Sequence, residues 1–172
     1  LQKWNSSFMS ASPIFRSFEH LRRPLSEMQE WPVLSELNRL RAFNGQPILT
    51  RSDKEICFVP AMTGKQSFEQ KYETKIFLTG EVQTRASNWH DFFNALVWLV
   101  FPRAKSTLNQ LHYEMQNLEA ERQLVHRSVL RDAATLFDES GVVVVSTKQE
   151  LIELMKNFQW KELFWQRREE VL

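Results

Sequence analysis

The sequence has 172 residues, is 42% hydrophobic and 12% aromatic, and carries 22 Lys and Arg against 21 Asp and Glu. This length fits one domain over residues 1–172 with a single core, and the hydrophobic content excludes the disordered class. Because the charges balance, there is no global field to hold nucleic acid or an anionic membrane, and neither is expected as a partner.

Cysteine content and apolar run lengths indicate the compartment. Cys57 is the only cysteine, so no disulfide can form within the chain, and no signal-peptide pattern opens it. The longest apolar run, Ala95 to Phe101, is far shorter than the roughly 20 residues of a membrane span. We therefore predict a soluble, cytoplasmic protein.

The first third of the chain is rich in proline, which predicts short helices joined by turns. Two amphipathic turns are expected on either side of Pro24, which should break them. A leucine stripe predicts a helix from Val33 to Phe43, and Asn44-Gly45 should end it.

Strand patterns follow in the next third. Residues 55–60 and 72–79 are rich in β-branched and aromatic residues, and Gly80 ends the second run. Residues 81–85 predict a short extended lead into the next element.

The stretch from Asn88 to Phe101 predicts a buried central helix, because it is apolar on nearly all sides. Its few polar residues, His90, Asp91 and Asn94, fall on one edge. Asn88 is a good N-cap, and the Asp91 carboxylate is expected to return a bond to its backbone N–H.

A long helix should follow Pro102 and pair antiparallel with the central helix. Lys105, Asn109 and His112 form a polar row on it, at spacings of four and three residues. Residues 133–146 predict a β-hairpin around Asp-Glu-Ser-Gly, and the alternative is a helix to Phe137 followed by one strand.

The last part of the chain predicts helix and exposes aromatic candidates. Thr147 and Glu150 form a capping-box pattern. Trp160 and Trp165 belong either to the core or to an interface with a protein partner or a second copy.

Six polar residues have the chemistry for a site. They are His90, Asp91, Asn94, His112, Asp132 and Asp138. Imidazole and carboxylate groups can hold a divalent metal, or a histidine can act as general base with an aspartate orienting it. The alternatives are structural: a capping carboxylate for Asp91, a bonded polar pair for His90 and Asn94, and a helix-flank position for His112.

Two arginines, Arg85 and Arg131, are candidates for binding a carboxylate or phosphate. Their structural alternative is pairing with Asp91 or Asp132.

Many of these residues lie in sequence segments that resemble one bacterial family, domain-of-unknown-function family 3025. These segments are Tyr72-Glu73, Gly80, Thr84-Arg85, Asn88 to Leu99, Phe101-Pro102, Lys105, Leu108-Asn109, His112, Arg131-Asp132-Ala133, Leu136 to Glu139, Gly141-Val142-Val143 and Leu163-Phe164-Trp165. The resemblance implies a cytoplasmic bacterial protein and no assigned activity. Family members continue into a further segment with a Gly-His pair, so this chain is expected to be a partial member.

These observations predict a mainly helical α+β domain: a buried central helix, an antiparallel partner helix and a small antiparallel sheet from residues 55–60, 72–79 and 133–146. The leading functional hypothesis is a hydrolytic or small-molecule-binding site on the polar edge of helix 88–101, based either on a divalent metal or on His and Asp side chains alone. Its catalytic residues, also the metal candidates, would be His90, Asp91 and His112, with Arg85, Asn94, Asn109 and Arg131 binding the ligand. The second hypothesis is a non-enzymatic interaction protein that uses the aromatic surface at Trp160 and Trp165.

Overall fold

The computed structural model describes residues 2–124 and 126–171 and is mainly helical with a small sheet, as predicted. Its α-helices are α1 Arg22–Ser26, α2 Leu34–Leu40, α3 Tyr72–Thr79, α4 Trp89–Val100, α5 Pro102–Glu121, α6 Val129–Ser140, α7 Gln149–Lys156 and α8 Arg168–Val171. Its strands are β1 Cys57–Pro60 and β2 Glu81–Thr84. Short 3₁₀ helices occupy Phe8–Ser10, Pro13–Leu21 and Arg41–Asn44, and Glu162–Gln166 is π-helical.

The two strands are parallel, with Cys57 opposite Glu81 and Pro60 opposite Thr84. The predicted antiparallel sheet is therefore wrong. Parallel neighbours need a crossover connection, and α3 supplies it between β1 and β2. The predicted strand over residues 72–79 is this crossover helix.

Contacts with a distant helix explain why α3 forms despite its strand-favouring composition. Thr74 is buried, and its Oγ1 donates to Gln116 Oε1 on α5 at 3.0 Å. Ile76 is buried on the same helix. Tertiary packing of this kind overrides a weak local preference.

The central helix is confirmed as α4. Asn88 caps it, since its Oδ1 accepts from the Asp91 backbone N–H at 3.0 Å. Its apolar side chains lie in the core: Phe92, Ala95, Leu96, Trp98 and Leu99. Aromatic rings from the first third of the chain contact it, and Trp4 stacks on Trp89 with centroids 5.3 Å apart.

The long helix after Pro102 is confirmed as α5, with Pro102 in its first turn. It contacts both α3 and α4. The antiparallel orientation of α4 and α5 stays a prediction.

Pro24 does not break the first region as predicted. It lies in the first turn of α1, where a missing backbone N–H has no cost, so the 3₁₀ helix from Pro13 continues directly into α1. The helix predicted from Val33 is present as α2 and the following 3₁₀ turn. Gly45 ends it with a left-handed φ of 66°, as expected for Asn-Gly.

The predicted β-hairpin at 133–146 is wrong. Helix α6 runs through Asp138 to Ser140, so Asp-Glu-Ser-Gly is a helix end rather than a hairpin turn. The helical half of the alternative is right, but its strand is not: Val142–Val145 make no strand pairing within the described part of the chain.

The chain divides into two compact units, Leu1–Asp138 and Glu139–Leu172. The first contains the sheet and the main hydrophobic core, which surrounds α4. In the second unit, the N-cap residue of α7 is Lys148, and no side chain of a described residue caps this helix. The Lys148 backbone N–H donates to Ser146 Oγ at 3.1 Å. The predicted capping box of Thr147 and Glu150 is therefore wrong. Among the described residues, no helix has both the length and the apolar content needed to cross a membrane.

Candidate functional site

The polar edge of α4 faces two separate environments. His90 and Asp91, in the first turn, bond to each other and to the preceding loop. Asn94, one turn later, bonds to side chains from α3 and α5. No hydrogen bond or ion pair joins the two places within the described part of the chain.

Asp91 is an anchor for the loop between β2 and α4. Its Oδ2 accepts from the Arg85 backbone N–H at 2.8 Å and from Arg85 Nε at 2.9 Å, and its Oδ1 accepts from Arg85 Nη2 at 2.8 Å. The predicted return bond from the Asp91 carboxylate to Asn88 is therefore wrong. The structural alternative for Arg85, pairing with Asp91, is the one observed.

His90 is a further hydrogen-bond partner of the Asp91 carboxylate. Its Nδ1 lies 2.9 Å from Asp91 Oδ1, and its side chain is 71% exposed. Burial alone would raise the pKa of Asp91, but the hydrogen bonds from Arg85 and His90 lower it to about 2. The carboxylate is thus ionised, and both of its oxygens accept hydrogen bonds.

A second group of polar side chains comes together deeper in the first unit, and we name it the Lys105 cluster. It consists of Tyr72, Glu73, Asn94, Lys105, Asn109, His112, Arg131 and Asp138. These residues come from α3, α4, α5 and α6.

Lys105 is the centre of this cluster and is almost fully buried. Its Nζ donates to both carboxylate oxygens of Asp138, at 2.9 and 2.8 Å, and to Asn94 Oδ1 at 2.8 Å. It also lies 5.7 Å from the centre of the Trp98 ring, within the range of a cation–π contact. Asn94 extends this hydrogen-bond network to α3, since its Nδ2 donates to the Tyr72 hydroxyl at 2.6 Å.

Glu73 and Tyr72 keep their protons to a higher pH than the same groups do in water, because the pKa of each is raised. Burial raises the pKa of the Glu73 carboxyl, against the opposing effects of the Asn109 hydrogen bond and the Lys105 charge. Burial also raises the pKa of the Tyr72 hydroxyl, and the charge of Glu73 raises it further. Asn109 Nδ2 donates to the Glu73 backbone oxygen at 2.9 Å and to Glu73 Oε2 at 2.7 Å.

His112 and Arg131 complete the cluster. Burial lowers the pKa of His112, and the charge of Arg131 lowers it further, which favours the neutral imidazole. Arg131 Nη1 donates to Glu119 Oε2 at 2.5 Å, so its partner is Glu119 and not the expected Asp132. Asp132 instead pairs with Arg127 at 3.0 Å.

Among residues 2–124 and 126–171, three buried polar atoms of the Lys105 cluster have no hydrogen-bond partner: Asn109 Oδ1, His112 Nδ1 and Arg131 Nε. Asn109 and His112 lie three residues apart on α5, and both are at least nine-tenths buried. Arg131 and Asp138 on α6 pair with Glu119 and Lys105 on α5, on either side of the segment that holds Asn109 and His112, so α6 packs along this part of α5.

The structure brings together four of the predicted site residues: Asn94, Asn109, His112 and Arg131. It separates them from Arg85, His90 and Asp91. Asp138, named as a candidate, lies in the cluster, and the polar row on α5 had indicated Lys105 as well. Tyr72 and Glu73 were missed because their segment was assigned to a strand.

Among residues 2–124 and 126–171, no three His, Cys, Asp or Glu side chains form a group that could hold a metal ion. The predicted metal candidates His90, Asp91 and His112 therefore do not form such a group.

Comparison with protein families gives one result. The sequence model of the family described as "Protein of unknown function (DUF3025)" matches residues 56–172. The chain belongs to the DUF3025 family. The matched region contains every residue of the Lys105 cluster, so this site lies in the part of the chain that defines its membership. Comparison with curated proteins and with solved structures finds no match.

Proposed function

We propose that this chain binds a small polar molecule at the Lys105 cluster and that Glu73 and His112 exchange protons with it. The observation that carries the proposal is the set of unpaired buried atoms on Asn109, His112 and Arg131. A buried polar atom without a partner costs about 1–3 kcal/mol. Three of them in one neighbourhood are expected where a ligand supplies the missing partners.

The acid–base part of the proposal rests on the two titrating groups. Glu73 keeps its proton to a higher pH than an exposed carboxyl, and His112 stays neutral to a lower pH than an exposed imidazole. A proton donor beside a neutral base is what proton transfer during hydrolysis needs. The cluster reaches the surface, since Tyr72, Glu73 and Asp138 are only half-buried.

The structural alternative is that ordered water bonds to the unpaired atoms and that the cluster only stabilises the fold. His112 gives a direct test, because it is the one buried histidine among the four in the chain, and His20, His90 and His126 are exposed. Protein labelled with ¹⁵N at its histidine rings would be titrated separately with acetate, phosphate and acetamide.

We expect at least one probe to shift the His112 ring signals saturably while the other three histidines stay unchanged. The control is the double variant Lys105→Met/Asp138→Leu, which removes the charges at the centre of the cluster and should abolish the shift. If no probe moves His112 in the unaltered protein, the proposal is wrong.

The catalytic role predicted for His90 and Asp91 ranks below this one. The geometry of an aspartate orienting a histidine is present, but both Asp91 oxygens are occupied by Arg85. We also propose a cytoplasmic location, on the basis of the lone Cys57.

A second candidate function, protein–protein interaction, is favoured by one feature of the unit Glu139–Leu172. Its aromatic side chains Phe158, Trp160, Phe164 and Trp165 are exposed, and Trp165 is 76% exposed. Trp160 and Phe164 stack with ring centroids 6.0 Å apart. Exposed aromatic groups of this kind mark contact surfaces. This candidate ranks second because exposure is one observation, whereas the Lys105 cluster combines burial, charge and unpaired atoms.

A further inference from the structure

The unpaired atoms of the Lys105 cluster indicate the chemical class of its ligand, and this inference rests on the proposed function. The unpaired atoms of Asn109 and Arg131 are an acceptor and a donor, and these roles are fixed by the bonds that the other atoms of the two side chains make. The charges around them decide between an ionic and a neutral ligand.

Asn109 offers an acceptor. Its Nδ2 donates to the Glu73 backbone oxygen, which can only accept, so the amide cannot be flipped without losing that bond. Its Oδ1 is therefore fixed as the unpaired atom. A ligand that satisfies it must present an N–H or O–H group.

Arg131 offers a donor. Its Nη1 is occupied by Glu119, while its buried Nε–H has no acceptor. A guanidinium has no acceptor atoms, so the group that meets Nε must be an oxygen or an unprotonated nitrogen. The ligand thus needs a donor and an acceptor together.

The charges of the cluster cancel in pairs, which favours a neutral ligand. Lys105 is paired with Asp138, and Arg131 with Glu119. Burial favours the protonated, uncharged form of Glu73 and the neutral form of His112. An anion or a cation entering this site would lose its hydration without gaining an unpaired opposite charge.

We infer that the ligand presents a neutral carboxamide group to the Lys105 cluster, with its N–H directed at Asn109 Oδ1 and its carbonyl oxygen at Arg131 Nε. A primary carboxamide carries two N–H donors and a carbonyl acceptor on neighbouring atoms. His112 Nδ1 is a third contact, and it can donate or accept according to the tautomer of the ring.

The test compares acetamide with acetate, which have nearly the same shape and differ in charge and in the N–H donors. Both are titrated into protein labelled with ¹⁵N at its histidine rings, and the His112 signals are followed. The comparison is repeated with Asn109→Leu, and with Ser106→Ala as a control that removes another buried polar group from α5, one whose Oγ donates only to the Arg103 backbone oxygen of the same helix. Circular dichroism and thermal melts establish that each variant is folded.

We expect acetamide to saturate the His112 shift at a concentration about ten-fold lower than acetate, and Asn109→Leu to remove this preference, since one hydrogen bond supports about a ten-fold difference. Ser106→Ala should keep it. If Asn109→Leu fails to fold, Asn109→Ala replaces it, since it also removes the acceptor oxygen and should likewise remove the preference for acetamide.

The outcomes separate the two claims. If acetate or phosphate moves His112 more strongly than acetamide, the carboxamide inference is overturned while the proposed binding site stands. If none of the three probes moves His112, the proposed function fails and this inference fails with it.

Discussion

Glu73 is a residue whose chemistry is set by its surroundings. It lies in the first turn of α3, and only one of its carboxyl oxygens, Oε2, accepts a hydrogen bond from a described residue. Burial disfavours its charged form more than Asn109 and Lys105 favour it, so its pKa is raised. At pH values between the unfolded and the folded pKa of this carboxyl, the folded state therefore holds a proton that the unfolded state has lost.

This leads to a prediction for the pH dependence of stability. Above the unfolded pKa of 4.5, the folded protein binds one more proton than the unfolded chain at Glu73, so its stability falls as pH rises until the folded pKa is passed. Glu73→Gln cannot ionise. Its free energy of unfolding, relative to the unaltered protein, should rise over this window by about 1.4 kcal/mol for each unit by which the pKa is raised.

Urea unfolding at a series of pH values measures this difference. Glu121→Gln on α5 is the matched control, because Glu121 is exposed and its side chain makes no hydrogen bond or ion pair to another described residue. Its difference from the unaltered protein should not change with pH. A pH-independent difference for Glu73→Gln would contradict the raised pKa.

At the scale of elements, Gly80 fixes the junction between α3 and β2. Its φ is 78°, and a Cβ placed on it would lie 2.1 Å from the Glu55 backbone oxygen. Its own carbonyl accepts from the Cys57 backbone N–H at 2.9 Å. The junction therefore needs glycine for both its backbone conformation and its close approach to the segment before β1.

Gly80→Ala should reduce the free energy of unfolding by about 2–4 kcal/mol, since left-handed strain and a clash with backbone atoms add together. Gly45→Ala is the matched control: Gly45 has a similar φ of 66° but no atom within 4 Å of the added Cβ. Its loss should be limited to the strain, about 1 kcal/mol. Thermal and urea unfolding measure both, and equal losses would show that the close approach to Glu55 does not matter.

The same elements show which parts of the fold can be predicted from sequence. Helices α4 and α5 were predicted because their apolar periodicity is long and their ends carry Asn88 and Pro102. Helix α3 was predicted as a strand, because its composition favours β structure and its helical state depends on Thr74 meeting Gln116, 42 residues away. The end of α6 was predicted as a hairpin turn for a similar reason, because the composition of Asp-Glu-Ser-Gly is typical of a turn.

The candidate site was predictable to the extent that its residues share one helix. Asn109 and His112 were found from their spacing along α5, and Asn94 from the polar edge of α4. Glu73 could not be found this way, since its connection to Asn109 spans 36 residues. The pairing of Arg131 with Glu119 likewise depends on how α6 packs beside α5.

Across the whole first unit, Lys105 connects three helices through one ammonium group. It lies on α5 and bonds Asn94 on α4 and Asp138 on α6, with side-chain exposures of 6% for Lys105 and 22% for Asp138. Removing two charges from water is expensive, and a buried ion pair often stabilises a fold no better than apolar residues of the same size. The pair thus has a cost that a structural role alone does not require.

A double-mutant cycle on this pair tests that argument. Lys105→Met leaves Asp138 without its cation, and Asp138→Leu leaves Lys105 without its carboxylate, so each single variant should lose about 2–4 kcal/mol, less than a fully buried pair would because Asp138 is partly exposed. The double variant should recover most of this loss, since no unpaired charge remains. Urea unfolding of the four proteins gives the coupling energy.

A double variant that regains its stability can still fail to respond to the probes at His112. That result would mean that the fold does not need these charges and that binding does. If the double variant instead loses the sum of the two single losses, the coupling energy between Lys105 and Asp138 is zero and each side chain stabilises the fold independently. The cluster then no longer supports a functional reason for burying the pair.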